Sequence, residues 1–219
     1  MVFAVLEGSI AMHPHPAFRQ ATRDTNLRFA AQTGFGMLCV PFEGETLVSH
    51  LPFHLNPESD EFDLHLAQNN AIVSTGLVKT TATLVIQGPH GYVSPDWYQA
   101  PHQGPTWNYV AVHIKGTVVL QDRQELRRIV SELTTEFEMR VNGKSPWRSE
   151  DIKDKPMDGL MAQIVPYRFQ IEAVEGTWKL DQTQPPESRL NAAAAVENSP
   201  TGLDTKALAD FMRGTISEE

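Results

Sequence analysis

The chain carries a single cysteine, Cys39, so no disulfide framework can form within it, and such sparing use of thiol suits a reducing compartment and a cytoplasmic protein. Cys39 sits in the apolar run "FGMLCV" and is expected to be a buried strand residue. No apolar run approaches the ~20 residues that a membrane-spanning helix needs. The opening "MVFAVLEGSI" has no basic residues before its apolar patch, so it is not expected to be a secretory signal. Positive charge is also short: 18 Lys and Arg stand against 27 Asp and Glu, a net −9 that disfavours loose adhesion to nucleic acid or anionic membrane. Neither GxGxxG nor GxxxxGK[ST] occurs, so no nucleotide phosphate loop is signalled. HExxH and CxxC are likewise missing. Ser94, in "VSPDW", lacks the glycine-flanked elbow that exposes a hydrolase nucleophile and reads as a turn serine.

What is present is mostly β. In "TLVSHLPFHL", Leu47, Leu51, Phe53 and Leu55 share one face while Val48, His50, Pro52 and His54 share the other. "EFDLHLA" continues the alternation with Phe62, Leu64 and Leu66, and "TATLVIQ" and "YVAVHIKGTVVL" add two strands separated by a turn-rich stretch. Helices are expected over Thr22 to Gln32, with Asp24 as N-cap, and from Asp122, where Glu125 completes a capping box and Leu126, Ile129, Val130, Leu133 and Phe137 form an apolar stripe. A short helix around Leu160 to Ile164, a strand pair "YRFQIEAVEG" and "TWKLDQ", and helices near Glu187 to Val196 and Asp204 to Arg213 close the chain. This order indicates an α+β, β-rich fold built on a small barrel with a helical tail. The expected organisation is an extension over 1–11, a barrel domain over 12–182 and a tail over 183–219.

Eight histidines raise the question of a metal, and spacing answers against it. His50 and His54 share a strand face, but four residues at ~3.3 Å each place them ~13 Å apart, too far for one ion. His13 and His15, in "HPHP", lie in a terminal segment with no third ligand nearby in sequence.

The informative stretch is "QGPHGYVSPDWY", followed by "TWNYVAVH". Between Leu84 and Leu120 fall three of the four tyrosines and two of the four tryptophans, but none of the ten phenylalanines. Packing alone would use Phe as readily, so rings with polar handles indicate a wet, shaped surface, a pocket or an interface.

The motifs "SHLPFHL", "LHLAQNN", "QGPHGYVSPDWY", "PTWNYVAVHIKG" and "GTWKLDQTQPPESRL" together resemble the PaiB-type FMN-binding negative transcriptional regulators, relatives of the pyridoxine 5′-phosphate oxidase flavin barrels. The resemblance runs from about Met12 to Val196. It implies a six-stranded split barrel that forms a homodimer and holds FMN in clefts between subunits. Isoalloxazine is a flat, largely apolar tricycle with a polar edge, so its site needs aromatic walls and a few aimed donors. Trp97, Trp107 and Tyr92 are the candidate walls, and Gln87, Asn108 and the peptide groups of the glycine-rich turn the candidate donors. The matched motifs add Ser49, His50, Gln68, Asn70, Lys179 and Gln182 as cofactor contacts, with His90 a polar contact to ligand.

One motif departs from the pattern. Where the family carries Ala-Arg-x-Asn-Pro, this chain has Ala67, Gln68, Asn69, Asn70 and Ala71. A neutral amide cannot replace a guanidinium on a phosphate, a loss of ~1.5–3 kcal/mol or roughly ten- to a hundredfold in affinity. Lys79, Lys179, Arg189 and the hydroxyls of Thr80 and Thr81 are the alternative phosphate partners. The resemblance leaves three outputs open: flavin redox chemistry, transcriptional regulation with DNA as partner, and a dimeric binding module that has lost tight FMN binding.

Overall fold

The computed structural model describes residues 11–56, 59–147, 159 and 161–214. In chain order these form a 3-10 turn over Pro16–Phe18, α1 (Arg23–Thr33), β1 (Phe35–Phe42), β2 (Glu45–Asn56), β3 (Glu61–Ala67), α2 (Ala71–Ser74), β4 (Lys79–Val93), β5 (Thr106–Leu120), α3 (Leu126–Met139), β6 (Ile164–Lys179), α4 (Pro186–Val196), β7 (Gly202–Leu203) and α5 (Thr205–Arg213). The sheet order β1-β2-β3-β6-β5-β4 is closed by a further β1–β4 pairing, giving a ring of six strands with β7 added outside it on β4. This is the split barrel expected from the motifs. The chain divides into two compact units, one of residues 24–87 and 112–174, the other of residues up to 23, 88–111 and from 175 onward. β4, β5 and β6 contribute residues to both.

The first unit holds the ring core. Alternation along β2 places Ser49, Leu51 and Phe53 inside while Val48 and His50 stay exposed, because successive strand residues point to opposite faces. β3 adds Phe62, Leu64 and Leu66, and Leu38, Val40, Leu84, Ile86, Val112, Ile114 and Phe169 complete the interior. Phe53 and Phe62 meet edge to face, with ring centroids 5.0 Å apart.

The outer face of β3 is not solvated as its polar residues suggest. Asp63 is fully buried there. Arg128 on α3 donates to its Oδ2 at 2.8 Å, and Arg168 on β6 donates to its Oδ1 at 3.0 Å. Arg128 is itself bracketed by Glu125 at 3.0 Å and Glu132 at 2.7 Å, so α3 is joined to the ring by a charge network rather than by apolar contact alone.

The structure corrects several local expectations. Asp24 lies inside the first turn of α1 rather than capping it, where its charge still complements the helix dipole. Asp122 does cap the turn before α3, accepting from the Gln124 amide at 2.8 Å, but Glu125 turns away to Arg128 instead of closing a capping box. Cys39 is half-buried on the face opposite Leu38 and Val40, and burial pushes its thiol pKa up. Residues 88–93 extend β4 instead of forming a turn, and the chain turns only from Ser94. The expected strand pair after residue 166 is one continuous strand, β6, because Gly176 keeps an extended backbone and the reversal waits for Asp181, whose φ is 61°. Of the short helix expected over Leu160 to Ile164, Leu160 lies outside the described residues and Ile164 already opens β6. Residues 1–10 of the expected extension are also outside them.

Removing one member of a buried charge cluster leaves the others uncompensated. Asp63→Ala should lower stability by about 3 kcal/mol, the low end for a broken buried pair because both guanidinium groups reach solvent. Urea unfolding of the variant against wild type measures this, and a change under about 0.5 kcal/mol, the scatter of an ordinary surface substitution, would show the cluster to be incidental.

Candidate functional site

The second unit contains the aromatic stretch. Its framework depends on one close approach, where Gly91 of β4 pairs with Gly202 of β7. A Cβ on Gly202 would stand 2.2 Å from the His90 carbonyl oxygen, and one on Gly91 would stand 3.1 Å from Leu208. Only glycine at position 202 admits β7 at this distance, and Gly91 gives α5 room against it. The peptide groups expected to serve as ligand donors are therefore partly spent in pairing, with the Tyr92 amide donating to the Thr201 carbonyl at 3.1 Å. Tyr98, Trp178, Leu180, Ala192, Ala193, Val196, Leu208 and Met212 are buried in this unit.

Strand alternation then sorts the remaining residues. On β4, Gly91 and Val93 point inward and His90 and Tyr92 are half-buried; on β5, Asn108 and Val110 point inward and Trp107 is left 47% exposed. The exposed indole has His90 at 6.1 Å and Tyr92 at 6.2 Å between ring centroids, and Tyr92 in turn meets Trp97 at 6.5 Å. Four candidate residues from two strands and the following turn thus form one aromatic row. His90 also sets its Nδ1 3.3 Å from the Gly88 carbonyl oxygen.

Lys179, at the end of β6, closes the row from one side. Its ammonium donates to the Thr106 hydroxyl and, at 2.6 Å, to the Trp107 carbonyl oxygen, and it lies 5.9 Å from the centre of the Phe18 ring. Burial pushes its pKa down, with Asp181 pulling the other way. Asp181 is buried beside it and accepts from the Tyr98 hydroxyl at 3.1 Å. Burial raises the Asp181 pKa against the opposing pull of Asn108, Tyr98, Lys179 and Arg189, and burial together with the Asp181 charge raises that of Tyr98. Asn108 is fully buried; its amide donates to the Met212 sulfur at 3.6 Å, and its Oδ1 has no partner. Gln182 is spent locally, accepting from the Leu180 amide at 2.8 Å and donating to the Trp178 carbonyl.

The other candidates belong to the first unit. Asn70 caps α2, accepting from the Ile72 amide at 2.9 Å, and donates to the Ser49 hydroxyl at 2.9 Å. Gln68 is exposed in the turn after β3, its backbone amide donating to Gln163 at 2.8 Å. His50 and Gln87 are exposed on β2 and β4. The expected list is therefore two clusters: Ser49 with Asn70, and His90, Tyr92, Trp97, Trp107 and Lys179. Tyr98, Asp181 and Phe18 were passed over. Tyr98 carries the polar-ring signal of its stretch, whereas nothing adjacent in "KLDQ" marks Asp181. Among the described residues no three metal-ligating side chains converge.

A family model described as "Putative FMN-binding domain" matches residues 12–173. The protease synthase and sporulation protein PAI 2 of Bacillus subtilis is 23% identical over 204 residues, spanning 92% of this chain and 97% of that protein. Among solved structures, the FAD and heme binding protein from Mycobacterium smegmatis superposes with a TM-score of 0.59 at 12% identity, covering 85% of this chain and 83% of its own. The flavocytochrome Anf3 from Azotobacter vinelandii gives 0.51 at 11% identity, covering 87% and 81%. These two likenesses establish the shared fold. Among the described residues no helix is long and apolar enough to cross a membrane.

The raised Asp181 pKa has a signed consequence. A carboxyl whose folded pKa lies above its unfolded one takes up a proton on folding, so stability falls as pH rises from the ordinary value of about 3.9 through the raised one. Asp181→Asn keeps an acceptor for Tyr98, and asparagine tolerates the positive φ. Its stability, followed by urea unfolding from pH 3 to 8, should gain on wild type as pH rises across that window. Parallel curves would show that burial does not penalise the carboxylate.

Proposed function

The chain belongs to this FMN-binding domain family, of the PaiB type, and from that membership we propose that it binds FMN as a cytoplasmic homodimer and uses the flavin as its redox or ligand-sensing group. The observation that carries the reading is the Trp107 indole, exposed between His90 and Tyr92 in an aromatic row, with the half-buried Lys179 ammonium on its backbone carbonyl. A planar, electron-poor ring gains most from such a shelf, because stacking and desolvation act together there. What supports the reading lies within one unit: Trp107, Tyr92 and Trp97 offer ring faces and His90 a polar edge.

When bound, FMN supplies one- and two-electron transfer. The chain's residues bind and orient. Lys179 fixes the Trp107 backbone and places a positive charge beside the row, which favours negative charge on whatever lies there. No side chain is assigned as an acid or base. The exposed Trp107 also suits burial by a second subunit.

A second reading, regulation through DNA, draws on the similarity to PAI 2, named for protease synthase and sporulation. The net charge of −9 opposes direct DNA recognition, so regulatory output would pass through another component. A gel shift on the chain's own upstream DNA at low salt tests this.

Two measurements test the main proposal. Trp107→Ala should weaken FMN binding by about tenfold or more, the value of one lost aromatic stack, as read by quenching of flavin fluorescence. Sedimentation at micromolar concentration should give twice the 24.4 kDa chain mass. A monomer at that concentration would remove the two-subunit site.

A further inference from the structure

The segment "HPHPAF" is not a loose end: it folds onto Phe18, which is 8% exposed. The His13 ring meets Phe18 edge-on at 4.9 Å and the His15 ring lies tilted at 5.0 Å, while the Lys179 ammonium stands 5.9 Å from the same ring. One buried phenyl ring thus collects two imidazoles and an ammonium. The family match begins at Met12, so this segment lies inside the shared domain.

The backbone fixes the protons. His13 Nδ1 accepts from the His15 amide at 3.0 Å, and His15 Nδ1 accepts from the Ala17 amide at 3.2 Å. A neutral imidazole that accepts through Nδ1 carries its hydrogen on Nε2, so both rings present an Nε2–H donor. That tautomer opposes metal binding through Nε2. Lys179 commits two of its three N–H groups, to Thr106 and Trp107, and keeps one. Burial pushes the His13 pKa down, and the charges of Lys179, His15 and Arg19 push the same way, against a backbone hydrogen bond with His15 that pulls it up. The acidic groups nearby are engaged: Glu175 accepts from the Met12 amide at 3.3 Å, and Asp181 accepts from Tyr98. Two imidazoles and an ammonium thus gather around Phe18, and among the described residues no carboxylate is hydrogen-bonded to any of the three.

We propose that His13, His15 and Lys179 around Phe18 form an oxyanion site that takes a phosphate monoester, which in the flavin reading is the phosphate of FMN. The inference rests on that reading for its ligand, and it gives a phosphate positive partners in a chain whose position 68 is a neutral glutamine. Lys179, through Trp107, links the anion site to the aromatic row.

The test compares ligands that differ only in the phosphate. Wild type, Lys179→Met and His13→Gln are titrated with FMN and with riboflavin, and the His13 and His15 ring signals are followed by NMR as inorganic phosphate is added. Wild type should prefer FMN over riboflavin by about tenfold or more, the worth of one charge-assisted contact, and each variant should reduce that preference to within about twofold. Phosphate should move both histidine signals in wild type. His13→Gln cannot take up a proton beside an anion as an imidazole does, and it leaves Lys179 in place, so it reports even if Lys179→Met fails to fold. An unchanged FMN-to-riboflavin ratio in the folded variants overturns the anion site and leaves the flavin reading standing. If wild type binds neither flavin but phosphate still moves the histidines, the site stands for another phosphate ester and the flavin reading falls. Signals that ignore phosphate in a protein that binds neither flavin overturn both.

Discussion

Closure of the ring by β1 is the constraint on which the rest of the structure depends. β1 pairs with β2 from Phe35 to Phe42 and, on its other edge, with β4 through Met37, Leu38 and Cys39. The second pairing needs glycine at position 36, where a Cβ would stand 2.7 Å from the Val85 carbonyl oxygen. Once closed, the ring fills with Leu38, Val40, Phe62, Leu64, Leu84, Ile86, Val112, Ile114 and Phe169, each at 0% exposure. An interior packed to that degree has no room for a tricyclic ligand. Recognition must fall to residues outside this core, and the only question is which.

Unfinished polar chemistry points to the answer. In the first unit Asp63 is buried but answered by two guanidinium groups, so its cost is met locally. In the second, Asp181 is buried among Asn108, the Tyr98 hydroxyl and the more distant charges of Lys179 and Arg189, and Lys179 is half-buried with a hydroxyl and a carbonyl as its hydrogen-bond acceptors. Among the described residues, Asn108 Oδ1, Thr177 Oγ1 and Arg189 Nε of the same unit are buried without hydrogen-bond partners, against His65 Nδ1 in the first. Folding that consulted stability alone would not collect such groups in one place. A ligand with a polar edge and a negative charge is the kind of group that would complete them.

Much of this was legible in the sequence, for identifiable reasons. The alternation of Leu51, Phe53, Phe62 and Leu64 and the stripe of Leu126, Ile129 and Leu133 carry periodicities that no other structure satisfies, so β2, β3 and α3 lie where expected. The aromatic stretch announced itself because its rings carry polar handles. Glycine and proline misled at residues 88–93: they signal turns locally, but here they serve the close passage of β7 and α5, which is invisible without the fold. Asp63 alternates with apolar neighbours as a solvent-facing residue would, and only the docking of α3 makes it buried. Tyr98 and Asp181 are 83 residues apart, and the His13 segment meets Lys179 from still further, so no local pattern could have joined them.

We propose an occupancy of one flavin mononucleotide per subunit, held outside the ring core. Equilibrium dialysis of the purified protein against FMN, with the visible circular dichroism of the retained flavin recorded, tests it most directly. The account predicts saturation at one FMN per chain and induced dichroism in the flavin bands, because the flavin is fixed against chiral aromatic neighbours. FMN that equilibrates freely across the membrane and shows no induced signal would contradict it.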